Sequence, residues 1–166
     1  MKRLICMLWI FGLLLSVIGC AQKDTPKVPA TFYYSRIDSI NAGENSLIAG
    51  EIREAAGYEG DLTSLLTLYM KGPVSNHLAQ TFPKGLLITS LSINEGTIKI
   101  NLNDTFSQMT NLDAGIACAA ILRTVAGLTG SEDITVCIYG HFPYDNNSIT
   151  LTFADILLTD GEPTTP

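Results

Sequence analysis

Between residues 89 and 102 the chain reads TSLSINEGTIKINL, and the parity of its apolar positions changes halfway. Leu91 and Ile93 are odd, while Ile98, Ile100 and Leu102 are even, with Asn94-Glu95-Gly96-Thr97 between them. Two strands joined in this way pair Ile93 with Ile98, Leu91 with Ile100 and Thr89 with Leu102, so that the apolar side chains share one face of a hairpin. Ser90, Ser92, Lys99 and Asn101 fall on the other, wet face. The alternation returns at Ile134, Val136 and Ile138, and again at Ile149, Leu151 and Phe153. Less regular strands are expected over residues 31–37 and 47–54.

Two segments switch to helical spacing. Asp61 can cap a run whose apolar residues are Leu62, Leu65, Leu66 and Tyr69, and Gly72-Pro73 stops it. In the second, Thr110 or Asn111 is the cap and Asp113 sits in the first turn, where the helix dipole favours a negative charge. Ala114, Cys118, Ile121, Val125 and Leu128 form its main stripe, but Ile116, Ala119 and Ala126 make the opposite side apolar too. A helix apolar on all sides is buried on two of them, here between the sheet and the first helix or a partner. The predicted class is α+β: a two-layer sandwich of a mostly antiparallel sheet, about five to six strands, with two helices on one face.

The N-terminus follows another pattern. Met1, Lys2 and Arg3 precede an apolar run from Leu4 to Ile18, closed by Gly19-Cys20 before polar residues return. That is the layout of a secretory signal. The run falls short of the roughly 20 residues that a spanning helix needs. Val17-Ile18-Gly19-Cys20 resembles a bacterial lipobox, in which the cysteine thiol is acylated and becomes the new N-terminus. Two or more acyl chains anchor a protein stably, so Cys20 is the expected lipid attachment site, on the outer face of the cytoplasmic membrane. The expected organisation is a signal peptide over 1–19, a lipidated tether over 20–30, one domain over 31–158 and a disordered tail over 159–166.

Loss of residues 1–19 leaves 147 residues, enough for one domain with a core, carrying 8 basic against 16 acidic side chains. Such an acidic domain is repelled by nucleic acid and by anionic head groups. Its hold on the membrane therefore falls to the lipid.

Candidate chemistry is sparse. His77 and His141, the latter beside Tyr144 and Asp145, lack a motif that supplies an orienting partner and a nucleophile, and two isolated histidines fall short of a metal site. Glu51/Glu54 and Glu59/Asp61 read as solvated carboxylates. Asn103-Asp104-Thr105 and Asn146-Asn147-Ser148 match glycosylation acceptors, a signal of little weight in a bacterial lipoprotein. Cys6 leaves with the signal. Cys118 on the helix stripe and Cys137 on the far face of its strand should stay free thiols, separated by the sheet. No catalytic residue, metal or cofactor is expected, and no enzyme activity. A concave ligand site would need the aromatics Phe32, Tyr33, Tyr34, Phe142 and Tyr144 to meet.

Three stretches, LTSLLTLYMKGP, FPKGLLITSLSINEGTIKINLNDTF and AAILRTVAGLTGSEDITVCIYG, together resemble the sporulation and spore germination domain family called GerMN. The positions that carry the resemblance are Leu65, Leu66, Gly72, Pro73, Pro83, Gly85, Gly96, Leu102, Phe106, Thr124 and Gly140, and they cover roughly residues 31–140. The segment after Gly140 departs from the pattern. The resemblance implies a lipid-anchored interaction module in the envelope of a spore-forming, Gram-positive type of bacterium, with a fold similar to ring-building motifs. It implies envelope or sporulation proteins, or further copies of the chain, as partners. The alternative is an envelope lipoprotein that binds a small ligand or a cell-wall fragment.

Overall fold

The computed structural model of the chain describes residues 29–37, 46–55, 57–58, 60–141, 147–156 and 159–164. Strands β1 (Pro29–Arg36) and β2 (Ser46–Glu54) pair antiparallel, with Phe32 opposite Glu51 and Tyr34 opposite Ala49. β1 starts two residues inside the expected tether. Helix α1 (Leu62–Tyr69) follows, and Asp61 caps it as expected, its Oδ1 accepting from Ser64 N at 3.1 Å. The short β3 (Leu78–Ala79) returns to pair with the end of β1.

Next comes the hairpin of β4 (Ile88–Asn94) and β5 (Thr97–Leu102). Ile93 pairs with Ile98 and Leu91 with Ile100, as the alternation predicts. The third expected pair does not form. Ile88 stands opposite Leu102, and Thr89 is the extra residue of a bulge. Its hydroxyl donates to the Asn101 carbonyl on the partner strand at 3.1 Å. Pairing also extends to Asn94 and Thr97, leaving Glu95-Gly96 as a two-residue turn with φ of 46° and 78°. Positive φ at both central positions is the turn whose twist matches two flanking strands.

Helix α2 (Asn111–Thr129) starts at Thr110, whose hydroxyl accepts from Asp113 N, and ends at Gly130 in the left-handed region, φ 67°. It is the crossover that lets β6 (Thr135–Tyr139) lie parallel to β5. β7 (Ser148–Leu151) then pairs antiparallel with β6. Phe153, expected at the end of this strand, instead opens a 3-10 turn.

The α+β class stands, with the strands divided between two four-stranded sheets: β3-β1-β2-β8 and β4-β5-β6-β7. The polar segment expected to be a disordered tail is corrected in part: β8 (Thr159–Thr164) pairs parallel with β2, and residues 165–166 lie outside the described ones. Parallel pairing on an open edge uses backbone groups, and an edge accommodates Pro163, which has no N–H to give. One apolar cluster joins the sheets: Phe32 and Tyr34 of β1, Leu66 and Tyr69 of α1, Ile98 and Ile100 of β5, Val136 and Ile138 of β6, and Cys118, Leu122 and Val125 of α2.

Candidate functional site

Cys20, the expected lipid attachment site, and the expected signal peptide before it lie outside the described residues. Within the domain, the densest polar arrangement is internal. Alternation along β1 turns Ala30, Phe32 and Tyr34 to the core, and antiparallel pairing puts Ala49, Glu51 and Arg53 of β2 on that same face. Glu51 is fully buried. Its Oε1 accepts from Arg53 Nε, and its Oε2 accepts from the backbone N–H groups of Val74 at 2.9 Å and Ser75 at 2.7 Å. The Arg53 guanidinium also donates to the Gly72 carbonyl at 2.6 Å and to the Tyr34 hydroxyl, and it lies 5.1 Å from the centre of the Phe32 ring. Tyr34 in turn donates to the Tyr69 carbonyl, and Tyr69 to the Tyr33 carbonyl, each at 2.8 Å. Burial pushes both phenols well above their ordinary range.

Glu51 is therefore not a solvated carboxylate, which corrects the reading of the Glu51/Glu54 pair. Its oxygens are engaged by an arginine and two amides in a dry site, so their work is to pin the Gly72–Ser75 loop behind α1. Glycine at 72 meets two demands of that loop, φ of 91° and a Cβ position only 3.1 Å from the Gln80 side chain. The signal in the sequence was opposite charges two residues apart on a strand, hence on one face.

The remaining candidates are spread out. His77 is exposed, and its carbonyl accepts from Ile37 N at 3.2 Å. His141 Nδ1 lies 2.7 Å from Asp104 Oδ1 on the open surface, the two side chains 65% and 86% exposed. Tyr144, Asp145, Phe142, Asn146 and Glu59 lie outside the described residues. Asp61 is occupied as a helix cap, and its hydrogen bonds from Ser64 hold its carboxyl below the usual range. Asn103 accepts from Leu87 N at 3.1 Å and donates to the Gly85 carbonyl at 2.9 Å, fastening the entry to β4. Among the described residues, no three histidine, cysteine or acidic side chains converge as metal ligands would.

Cys118 sits in the core, where burial pushes its thiol up to about 12. Cys137 Sγ lies 3.5 Å from Thr150 Oγ1, on the sheet face opposite to the one that Val136 and Ile138 turn to the core. Both are free thiols on the two sides expected. Phe32 and Tyr34 are fully buried and pack against Tyr69, with ring centres 5.9 and 5.0 Å away, so neither is open to a ligand.

Most of the apolar second side of α2 is also covered within the fold, where Ala119 and Ala126 are buried and Ile116 is half-buried. Thr124 Oγ1 accepts from Tyr33 N at 2.9 Å along the edge of β1, and Arg123 lies 4.7 Å from the centre of the Phe153 ring. The helix is long and apolar enough to cross a membrane, but it serves here as the core helix, with 56% of its apolar window buried. A groove of about 440 Å³ opens between the segment after β3 and the start of α2, with Ser35, Thr81, Phe82, Gln108, Met109 and Asp113 among its lining residues.

Residues 31–141 match the Germane family, described as sporulation and spore germination. Among solved structures, the crystal structure of a candidate lipoprotein from Clostridium perfringens is similar, with 18% identity and a TM-score of 0.48 over 78% of this chain and 90% of that one. No curated protein matches the chain. The matched span takes in the positions that carry the resemblance, and several now have physical reasons: Gly72 in the pinned loop, Gly96 in the hairpin turn, Phe106 buried beneath the link to α2, Thr124 on the edge of β1. With about two thirds of its length inside this match, the chain belongs to the Germane family of sporulation and spore germination domains.

Proposed function

We propose that this protein is a lipoprotein held on the outer face of the cytoplasmic membrane through Cys20, where its domain acts as an assembly module in sporulation or spore germination. The observation that carries the reading is the family match over residues 31–141 following a lipobox at residues 17–20. Lipid supplies the hold on the membrane, because the acidic domain is repelled by anionic head groups. Since α2 keeps most of its apolar surface inside the fold, with Leu112 exposed at its start, docking falls to sheet edges and to loop tips such as exposed Val74.

Heat-resistant spore yield in a deletion strain of the source bacterium, complemented with the wild type or with Cys20→Ala, tests the reading. A fall restored by the wild type alone supports it. Normal spore yield together with normal germination of the deletion strain refutes it. A second reading, capture of a small ligand or cell-wall fragment, is favoured only by the groove beside α2. Binding of soluble muropeptides to the purified protein, abolished by Thr81→Trp, would select it.

A further inference from the structure

We infer that the edge of β4, unpaired among the described residues, is a self-association surface on which a second copy of this chain pairs antiparallel, its own β4 continuing the sheet. β4 is the end strand of β4-β5-β6-β7. The two-residue turn fixes how its backbone is used: Asn94 faces Thr97 as a hydrogen-bonded pair, so Ser92 also bonds toward β5, while Leu91 and Ile93 turn their N–H and C=O groups outward. A two-fold axis through Ser92 sets Leu91 opposite Ile93 of the other copy, twice. Those are the outward-facing residues, so each pair exchanges two hydrogen bonds. The register closes on itself without a bulge.

Side chains and charge point to the same occupant. Ile93 is 58% exposed on the core side of the sheet, and pairing would cover it with the second copy's Leu91. Gly85 to Asn94 is an uncharged stretch in a chain of net charge −6, so two copies can meet here without setting like charges against each other. A basic partner would be drawn to the acidic surface and gain nothing from a neutral edge. The other edges are guarded: β3 has two residues, β7 has four, and β8 carries Asp160, Glu162 and Pro163. This deepens the assembly reading by naming a partner. It rests on that reading for its purpose alone, because the association is scored without reference to spores.

The test is disulfide cross-linking of the full-length, membrane-borne chain. In the proposed pairing Ser92 faces its own copy at a non-hydrogen-bonded position, where Cα atoms stand about 4.5 Å apart, within disulfide reach. Cys137, two strands away on the same face, is out of reach. Copper phenanthroline should convert most of the Ser92→Cys protein to a reducible dimer on a non-reducing gel, at least tenfold more than wild type or Thr150→Cys on the opposite edge, the latter made together with Cys137→Ser because Cys137 lies directly across from Thr150 and would otherwise trap the new thiol within one chain. Adding Ile93→Lys to Ser92→Cys should reduce the dimer about tenfold, with an unchanged circular dichroism spectrum showing that the monomer is intact. Absence of a dimer from Ser92→Cys, equal cross-linking by the Thr150→Cys, Cys137→Ser double variant, or indifference to Ile93→Lys would each overturn the inference.

Discussion

Glu51 and Arg53 occupy strand positions that the paired residues Phe32 and Ala30 mark as core, and their charges are tolerable there only because every strong group has a partner. Removing one member of such a pair leaves the other buried and uncompensated, typically at a cost of about 3–5 kcal/mol. Glu51→Ala should lower the unfolding free energy by about that much in urea titrations and free the Gly72–Ser75 loop. Arg53→Met should be less damaging in a Glu51→Leu background than alone, a coupling that a double-mutant cycle would measure. Thr124 makes a smaller version of the same argument. Its hydroxyl satisfies the Tyr33 N–H on the edge of β1, so Thr124→Val should cost about 1–3 kcal/mol, whereas Thr124→Ser should cost far less. For Glu51 and Arg53 the sequence carried only their shared strand face, not their burial, and for Thr124 it carried nothing. Charges on a strand and a threonine on a helix are usually surface features, and only the placement of α2 along β1 gives Thr124 something to bond.

At the scale of elements, local chemistry was legible wherever an element depends on its own residues. Asp61 and Thr110 cap their helices because a side-chain oxygen can reach a free amide in the first turn, a signal confined to four residues. Thr110→Ala should therefore cost about 1 kcal/mol, read from the same urea titrations. The hairpin register was legible because alternation and turn agree. Its turn is less than ideal, since Glu95 holds φ of 46°, where a side chain is strained and asparagine is preferred. Glu95→Asn should stabilise the protein by about 0.5–1 kcal/mol; a loss of stability would show that the carboxylate is engaged elsewhere. The bulge at Thr89, the division into two sheets and the parallel strand β8 were not legible. Alternation assigns faces, not neighbours, and an edge strand held through its backbone needs no apolar pattern.

The whole molecule responds to pH through groups that burial and hydrogen bonding hold away from their ordinary values. Cys118, ordinarily near 9.0, stays protonated in the fold to about 12, and the buried Tyr34 and Tyr69 hydroxyls are held above their ordinary 10.0. Below pH 9 both folded and unfolded chains keep these protons, so the groups add no pH dependence. Between 9 and 12 the unfolded chain releases the thiol proton and the folded one retains it, and above 10 the tyrosines join in the same direction. Unfolding then releases protons, and stability must fall as pH rises. The exposed carboxylates act at the other end. Asp61 and Asp155 are held low by hydrogen bonds, so what they contribute is present above the ordinary carboxylate range and lost as pH falls through their lowered values. The urea midpoint should be level from pH 7 to about 9 and decline beyond it, and Cys118→Ala should delay the onset toward 10. A midpoint level to pH 11 would mean that the core admits water around Cys118 and Tyr69. The node that ties β1, β2, α1 and the Gly72–Ser75 loop together would then not be dry, and the reason for Glu51 and Arg53 to hold each other so closely would go with it.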